Sequence, residues 1–438
     1  MADRHLFGTD GVRGVANSEL TPAMAFGLAR AAGEGRGGHV VIGRDTRRSG
    51  PMLAAALMAG FNAVGIDTVD LGVIPVGAVS RLTRDTGAEF GVMVSASHNP
   101  APDNGIKFFD TGGAKLSDDR EATIEERYFR GEPWTGPIGP EVGTQTVMAD
   151  AVDRYVDAIS LGTESIVHGP EFVVDTANGA AFVAAPELFR RIGANVEVVN
   201  AAPDGMNINR GCGATHPEAL AERSLGRVGL AFDGDADRLI AVDEDGKIVN
   251  GDVIMAIFAA WMKERGDLAN ETVVVTVMSN LGFHKAMERL EIKVLETQVG
   301  DRYVLEAMRT SQAVVGGEQS GHVLLEDRAT GDGLRSALRL MEVMSATGKE
   351  LRELRTVMEE YPQVLNNVRV GRTKTFDDND AIVGAIRDGE RALAGRGRIL
   401  VRASGTEPLI RVMVEAPSEN EAGDVAAAIA GVVQSELG

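Results

Sequence analysis

Three apolar runs in this chain end in the same way, each breaking abruptly into a short polar loop. Gly91-Val92-Met93-Val94 runs into Ser95-Ala96-Ser97-His98-Asn99-Pro100, and Val228-Gly229-Leu230-Ala231-Phe232 into Asp233-Gly234-Asp235-Ala236-Asp237-Arg238. Ala313-Val314-Val315-Gly316 runs into Gly317-Glu318-Gln319-Ser320-Gly321-His322. Short, continuously apolar runs bounded by turn formers read as strands buried on both faces, which need helices above and below them. That restricts the chain to α/β architectures. In open α/β sheets ligands gather beyond the carboxyl ends of strands, so these three loops are the first candidates for a site.

The segments between them supply the rest of the layers. Thr21 to Ala32 has helical periodicity with Pro22 in its first turn, where a missing N–H costs little; Met52 to Phe61 and Pro75 to Thr86 read as further helices. With strands at Val40 to Asp45 and Asp67 to Gly72, the strand–helix–strand order predicts a βαβ unit and a largely parallel sheet. The opening Leu6 to Gly14 reads as a loop holding Arg13, and Pro133, Pro137 and Pro140 make a linker-like stretch. A second cycle has strands at Phe172 to Asp175 and Val196 to Val199 and an ordered glycine-rich loop at Pro203 to Gly213. A third runs from a helix at Asp252 to Arg265 through a strand at Thr272 to Val277. Three cycles that each finish on a polar loop amount to a coarse internal repeat at fold level, without residue-by-residue repetition. After Pro362 the order becomes strand Asn367 to Val370, helix Asp377 to Ala394, strands Arg398 to Arg402 and Leu409 to Glu415, and helix Glu419 to Glu436. This β-α-β-β-α pattern predicts a small α+β tail domain.

A length of 438 residues suits three or four such units. The 44 basic against 64 acidic side chains leave a net charge of −20, which argues against a nucleic-acid or anionic-membrane partner. An anionic small molecule would need a local basic pocket. The single cysteine, Cys212, forms no intramolecular disulfide and reads as packing. No apolar run reaches transmembrane length and the Met-Ala-Asp-Arg start lacks a signal-peptide pattern, so the expected compartment is the cytoplasm.

Ser97, a hydroxyl at the carboxyl end of a buried strand, is the candidate for the group that carries the reaction. Asp233, Asp235 and Asp237 are spaced by two, which on a tight loop aims three hard oxygen ligands at one point and suits Mg²⁺ with a position left for a phosphate oxygen. A calcium loop would need a longer acidic pattern closing on a glutamate, which does not follow Arg238. A solvated acidic turn is the bland alternative; Arg238 favours the metal reading, because a guanidinium beside the ion is useful when the partner is a phosphoryl group. Arg402, Ser404, Gly405, Thr406 and Arg411 combine two cations, two hydroxyls and a glycine, the inventory of a phosphate cradle, although a capped turn between strands has a similar composition. Glu318 and Ser320 suit sugar hydroxyls or an amine. Lys107 is read as an acid or base whose proton is loosened by burial near other cations, with His98 and His322 as hydrogen-bonding or proton-transfer groups. A phosphoryl-accepting serine, a metal site, a cation and a separate phosphate cradle together describe transfer between a phosphoserine and a phosphorylated substrate. Hydrolysis would need no second phosphate site, so the set favours a mutase.

Ser-Ala-Ser-His-Asn-Pro, Asp-Gly-Asp-Ala-Asp-Arg, Gly-Glu-Gln-Ser-Gly-His and Arg-Ala-Ser-Gly-Thr-Glu-Pro, in that order, resemble the four loops of the α-D-phosphohexomutase superfamily over essentially the whole chain. The resemblance implies three similar mixed-sheet α/β domains plus a C-terminal α+β domain around a central cleft, here residues 1–145, 146–250, 251–365 and 366–438. It implies that Ser97 carries a phosphate, that Mg²⁺ is held by the phosphoserine with Asp233, Asp235 and Asp237, that Glu318 and Ser320 contact the sugar, and that the Arg402 loop with Arg411 binds the distal phosphate. Ala403 stands where other members often have proline or lysine, with little effect expected because the backbone and flanking side chains bind. Gln319, the Phe-Gly-Thr-Asp-Gly-Val-Arg-Gly opening and Ser-Gly-Thr-Glu-Pro-Leu-Ile-Arg-Val-Met are most similar to members that interconvert glucosamine 6-phosphate and glucosamine 1-phosphate on the route to UDP-N-acetylglucosamine. The expected course is phosphoryl transfer from Ser97 to give a hexosamine 1,6-bisphosphate, which turns round and returns its other phosphate, with Lys107, Arg13 and His98 managing proton and charge. A mutase for mannose or glucose phosphates, or a non-catalytic sugar-phosphate-binding regulator, are the alternatives. The phosphoryl donor that first activates Ser97 is unspecified, and a homodimer is one option for the assembly.

Overall fold

The computed structural model describes residues 6–8, 10–131, 135–161, 171–326, 329–371, 376, 378–403 and 408–438. It contains two compact units: Met1–Met278 with Ile292–Val357, and Ser279–Glu291 with Met358–Gly438.

Among the described residues the first unit holds three sheets. The six-stranded sheet runs Val12–Val15, Asp103–Phe109, Phe90–Val94, His39–Arg44, Asp67–Val73, Gln145–Val147. Its last four strands are parallel, as expected, but Asp103–Phe109 pairs antiparallel with Phe90–Val94, and Val12–Val15 antiparallel with Asp103–Phe109. The expected largely parallel sheet is therefore mixed. The physical reason is the short polar connection after Val94: without a crossover helix, the chain can only reverse. Arg13, expected on a loop, lies on the edge strand Val12–Val15 opposite Gly105. The strand Phe90–Val94 is buried at every position, and Phe90 and Phe108 meet edge-on in the core at 6.2 Å between ring centres. Above it the helices Pro22–Gly33 and Gly50–Asn62 pack so closely that a Cβ on Gly60 would lie 2.4 Å from the carbonyl oxygen of Phe26. Thr21 caps the first of them, accepting a hydrogen bond from Met24 N at 3.2 Å.

The five-stranded sheet repeats this plan. Phe172–Asp175, Val196–Val199 and Val228–Phe232 are parallel, and Leu239–Val242 folds back antiparallel on Val228–Phe232. In the four-stranded sheet Lys293–Thr297, Thr272–Thr276 and Val315–Gly317 are parallel, and Val323–Leu325 folds back on Val315–Gly317. The internal repeat is thus topological. In each sheet the polar loop joins a buried parallel strand to its antiparallel neighbour, so each sheet delivers its loop from the same kind of edge.

In the second unit Gln363–Arg369, Leu409–Glu415 and Arg398–Ala403 form an antiparallel sheet in that order, with the helices Asp380–Leu393 and Glu419–Leu437, which is the β-α-β-β-α order expected. The helix Leu281–Arg289 belongs to the same unit. Its start is tied to the sheet by Glu415, which is fully buried and accepts hydrogen bonds from Leu281 N at 3.0 Å, Gln363 Nε2 at 3.0 Å and Arg398 Nε at 2.9 Å. Glu415→Ala removes the acceptor of four donors, Asn280 Nδ2 at 3.3 Å being the fourth. Because the Arg398 side chain is 21% exposed and partly rehydrates, the expected loss is about 2 kcal/mol, below that for a fully buried pair, read as a lower denaturation midpoint of this unit. Among the described residues no helix is long and apolar enough to cross a membrane.

Candidate active site

The serine loop and the aspartate loop meet. Ser97 is 2% exposed, has a left-handed backbone (φ +49°), and donates from Oγ to Asp233 Oδ2 at 2.5 Å across a sequence separation of 136 residues. His98 Nδ1 lies 3.3 Å from the same hydroxyl. Asp233, Asp235 and Asp237 are all buried, and one oxygen of each lies within 4.8 Å of the others. Asp235 Oδ1 and Asp237 Oδ1 are buried without a hydrogen-bond partner. Carboxylate oxygens without a hydrogen bond in low dielectric are costly unless something positive faces them; Arg238 Nε reaches Asp237 Oδ1 only at 3.9 Å, and the donor set fits a hard divalent cation. Burial, together with Asp237 and Asp235, pushes the Asp233 carboxyl well above the usual carboxylate range.

Cations surround this cluster in a closed ring of alternating charge. Lys107 Nζ lies 2.9 Å from Asp235 Oδ2, 2.9 Å from Asp10 Oδ2 and 4.0 Å from Asp237 Oδ2. Asp10 and Asp301 each lie 2.5 Å from Lys115 Nζ, and His322 reaches Asp301 at 3.5 Å and Asp237 at 3.4 Å. Burial alone would lower the Lys107 pKa, but Asp10, Asp235 and Asp237 outweigh it and hold the ammonium well above its ordinary value. The expectation of a lysine loosened by neighbouring cations is corrected: its neighbours are mainly carboxylates, and it stays charged. His322 is likewise held up to about 9 by Asp237 and Asp301 against its own burial. His98 goes the other way: burial, then Arg238 and Arg13, lower it to about 4, so it is neutral at neutral pH. Arg13 donates to Asn99 Oδ1 at 3.2 Å and pairs with Asp10.

The loop that carries Glu318 and Ser320 joins the same unit. Arg238 and His322 form a β-bridge, Leu239 N donates to Gly321 O at 3.0 Å, and Glu318 accepts from Gly300 N at 3.0 Å and Ser320 Oγ at 3.3 Å. The contact between the first two loops depends on the absence of a side chain. A Cβ on Gly234 would lie 2.3 Å from Ser97 O and 2.9 Å from Asn209 Nδ2. Gly234→Ala is therefore expected to force the loops apart, lowering stability by about 1–3 kcal/mol and turnover with it. Thermal denaturation and kcat measured on the same preparation check this; an unchanged pair of values would contradict the packing.

Arg402 and Arg411 lie in the second unit as direct cross-strand partners. Like charges opposite one another repel, and burial followed by Arg411 lowers the pKa of Arg402. An anion is the natural relief. Ser404, Gly405 and Thr406 lie outside the described residues. Sequence reasoning missed Asp10, Lys115 and Asp301, which complete the charged ring, and Asp45, Arg47 and Asn209, which hold the serine loop. Asp45 and Arg47 were findable, since they follow a buried strand as Ser97 does; Asp301 opens the helix Asp301–Ser311 after a glycine. Cys212 is buried and its thiol is pushed up to about 11 by burial, in keeping with packing.

Three α/β sheets delivering a serine, a carboxylate cluster and an acidic–hydroxyl loop to one another, followed by an α+β unit, define a phosphohexomutase-type protein. Four family models match in order: phosphoglucomutase/phosphomannomutase α/β/α domains I, II and III at residues 4–133, 153–246 and 250–361, and the C-terminal domain at 365–432. The chain belongs to the phosphoglucomutase/phosphomannomutase family. It is 50% identical to a phosphoglucosamine mutase of Moorella thermoacetica, covering 97% of this chain and 98% of the relative. It is 52% identical to a phosphoglucosamine mutase of Symbiobacterium thermophilum, covering 99% of each. A crystal structure of a family protein from Burkholderia thailandensis superposes with a TM-score of 0.81 at 25% identity, over 98% of this chain and 97% of that one. An N-acetylphosphoglucosamine mutase of Aspergillus fumigatus, solved with GlcNAc-6P and magnesium, shares the fold at a TM-score of 0.70 and 19% identity, over 99% of this chain and 96% of that one.

Proposed function

We propose that this protein is a phosphoglucosamine mutase, an intramolecular phosphotransferase that interconverts glucosamine 6-phosphate and glucosamine 1-phosphate through a phosphorylated Ser97. The observation that carries the chemistry is the Ser97 hydroxyl set 2.5 Å from Asp233 within a buried three-carboxylate cluster. The sugar choice rests on full-length relatives at about half identity.

In the forward direction a free hydroxyl of the sugar phosphate attacks phosphorus on phospho-Ser97, the P–Oγ bond breaks, and Ser97 Oγ departs and regains a proton. The product is a hexosamine 1,6-bisphosphate, which reorients and returns its other phosphoryl group to Ser97. Mg²⁺ held by Asp233, Asp235, Asp237 and the phosphorylated Ser97 would supply the positive charge that lets phosphoryl oxygens sit among carboxylates. Lys107, charged and anchored by Asp10 and Asp235, supplies fixed positive charge or a proton, not a lone pair. Neutral His98, 3.3 Å from Ser97 Oγ, carries the ring-nitrogen lone pair that takes the proton given up by the attacking sugar hydroxyl. Arg13 and Arg238 border the transferring group, and Glu318 with Ser320 engages the sugar's hydroxyl or amine. Arg402 and Arg411, with Ser404, Gly405 and Thr406, hold the phosphate that is not reacting.

The test is a side-by-side assay on glucosamine, glucose and mannose phosphates, each with and without a hexose 1,6-bisphosphate primer. The expected result is the highest kcat/KM on glucosamine phosphate, with priming needed when Ser97 is unphosphorylated. A higher kcat/KM on glucose or mannose phosphate would overturn the sugar assignment while leaving the mutase chemistry.

A further inference from the structure

Arg47 is 1% exposed, and none of its hydrogen bonds serves a surface or a substrate. Nε donates to Asp45 Oδ2 at 2.9 Å, Nη2 to Ser97 O at 3.0 Å and Asn99 O at 2.8 Å, and Nη1 to Asp103 O at 3.0 Å and Pro100 O. Apart from Asp45, every acceptor is a backbone carbonyl of the turn that carries Ser97. Asp45 extends the clamp to the other side of the serine: it accepts Ser95 Oγ at 2.6 Å, and Ser95 Oγ accepts Ser97 N at 2.9 Å. The second α/β sheet adds Asn209, whose Nδ2 donates to Ser97 O at 2.8 Å. Both polar groups of the Ser97 backbone are thus held by buried side chains.

The left-handed backbone of Ser97 makes this clamp necessary. An L-residue with a Cβ adopts φ +49° at an energetic cost, and such a conformation persists only where its surroundings over-determine it. In this conformation Oγ lies 2.5 Å from Asp233 Oδ2. Four diverging carbonyls need a planar fork of donors on one rigid group, which a guanidinium has and an ammonium lacks. We propose that Arg47, locked by Asp45, is a positioning residue for phosphoryl transfer: it holds the Ser97 turn in the strained geometry that sets the hydroxyl against the carboxylate cluster. This rests on the reading of Ser97 as the phosphoryl carrier.

The test compares Arg47→Lys, Ser95→Ala and Ser97→Ala with the full-length parent, each primed with hexose 1,6-bisphosphate and Mg²⁺. Arg47→Lys keeps the charge and loses the fork, so kcat should fall about 100-fold with KM within about twofold of the parent, the signature of a displaced reacting group. Ser95→Ala removes only the tie between Asp45 and the Ser97 amide, and kcat should fall on the order of tenfold. A merely structural pair would shift the denaturation midpoint and leave kcat per folded molecule unchanged. If Ser97→Ala is inactive while Arg47→Lys and Ser95→Ala turn over at the parental kcat, the clamp is wrong and the carrier stands; if Ser97→Ala is active, the carrier reading itself fails. Should the variants not fold, hydrogen exchange of the parent decides: strong protection in the peptide spanning residues 95–103 is expected, and exchange as fast as in exposed loops overturns the clamp.

Discussion

Replacing Ser97 with alanine is expected to abolish mutase turnover, with a loss on the order of 10⁴-fold or more, because the hydroxyl set against the carboxylate cluster is gone. The fold should hardly notice. Alanine at φ +49° is strained as serine is, the backbone bonds from Arg47, Asn209 and Ser95 Oγ remain, and the hydroxyl's contacts with Asp233 at 2.5 Å and His98 Nδ1 at 3.3 Å are lost. Sugar phosphate binding, measured by calorimetry with Mg²⁺ present, should change little. Intact-mass measurement after incubation with a hexose 1,6-bisphosphate should find one added phosphoryl group on the parent and none on the variant. Residual turnover within tenfold of the parent would mean that phosphate passes through another group.

The second large effect is expected from Asp235→Asn. Asp235 Oδ2 anchors Lys107 at 2.9 Å and Oδ1 is one of the two bare buried oxygens of the cluster, so the substitution removes a ligand charge while nearly preserving shape. Without metal the stability change should be small, since less carboxylate repulsion offsets the lost partner of Lys107. With metal the two proteins should diverge. The parent should be stabilised by added Mg²⁺ in proportion to its occupancy, and the variant should show little or no such shift and a kcat lower by about 100-fold or more. The thermal shift needs no turnover, so it separates loss of the ion from loss of chemistry. An unchanged Mg²⁺ titration would remove Asp235 from the metal site.

Much of this site was legible one loop at a time. Ser97 and the three aspartates stood out because each follows a buried apolar strand, and that pattern is local. The order of elements in the second unit was readable for the same reason: its strands and helices are short, contiguous and capped by turn formers. The mixed sheet was not readable from periodicity, because an antiparallel return and a parallel crossover use similar strands and differ in what the intervening loop does in space. The state of Lys107 was misread for a related reason. Its charge is decided by Asp10, Asp235 and Asp237, two of them more than a hundred residues away, which outweigh the nearby cation Arg13.

By itself, then, the sequence determined which residue types stand at the ends of which strands, and through them the family and the class of reaction. Only the tertiary structure decided that the Ser97 hydroxyl faces Asp233, that a ring of alternating charge keeps Lys107 and His322 protonated, and that Arg47 grips the serine turn by its carbonyls. Strand and loop identity follow from side chains adjacent along the chain. Hydrogen-bond geometry and the charged state of buried groups depend on which distant segments are brought within a few ångströms where water is excluded.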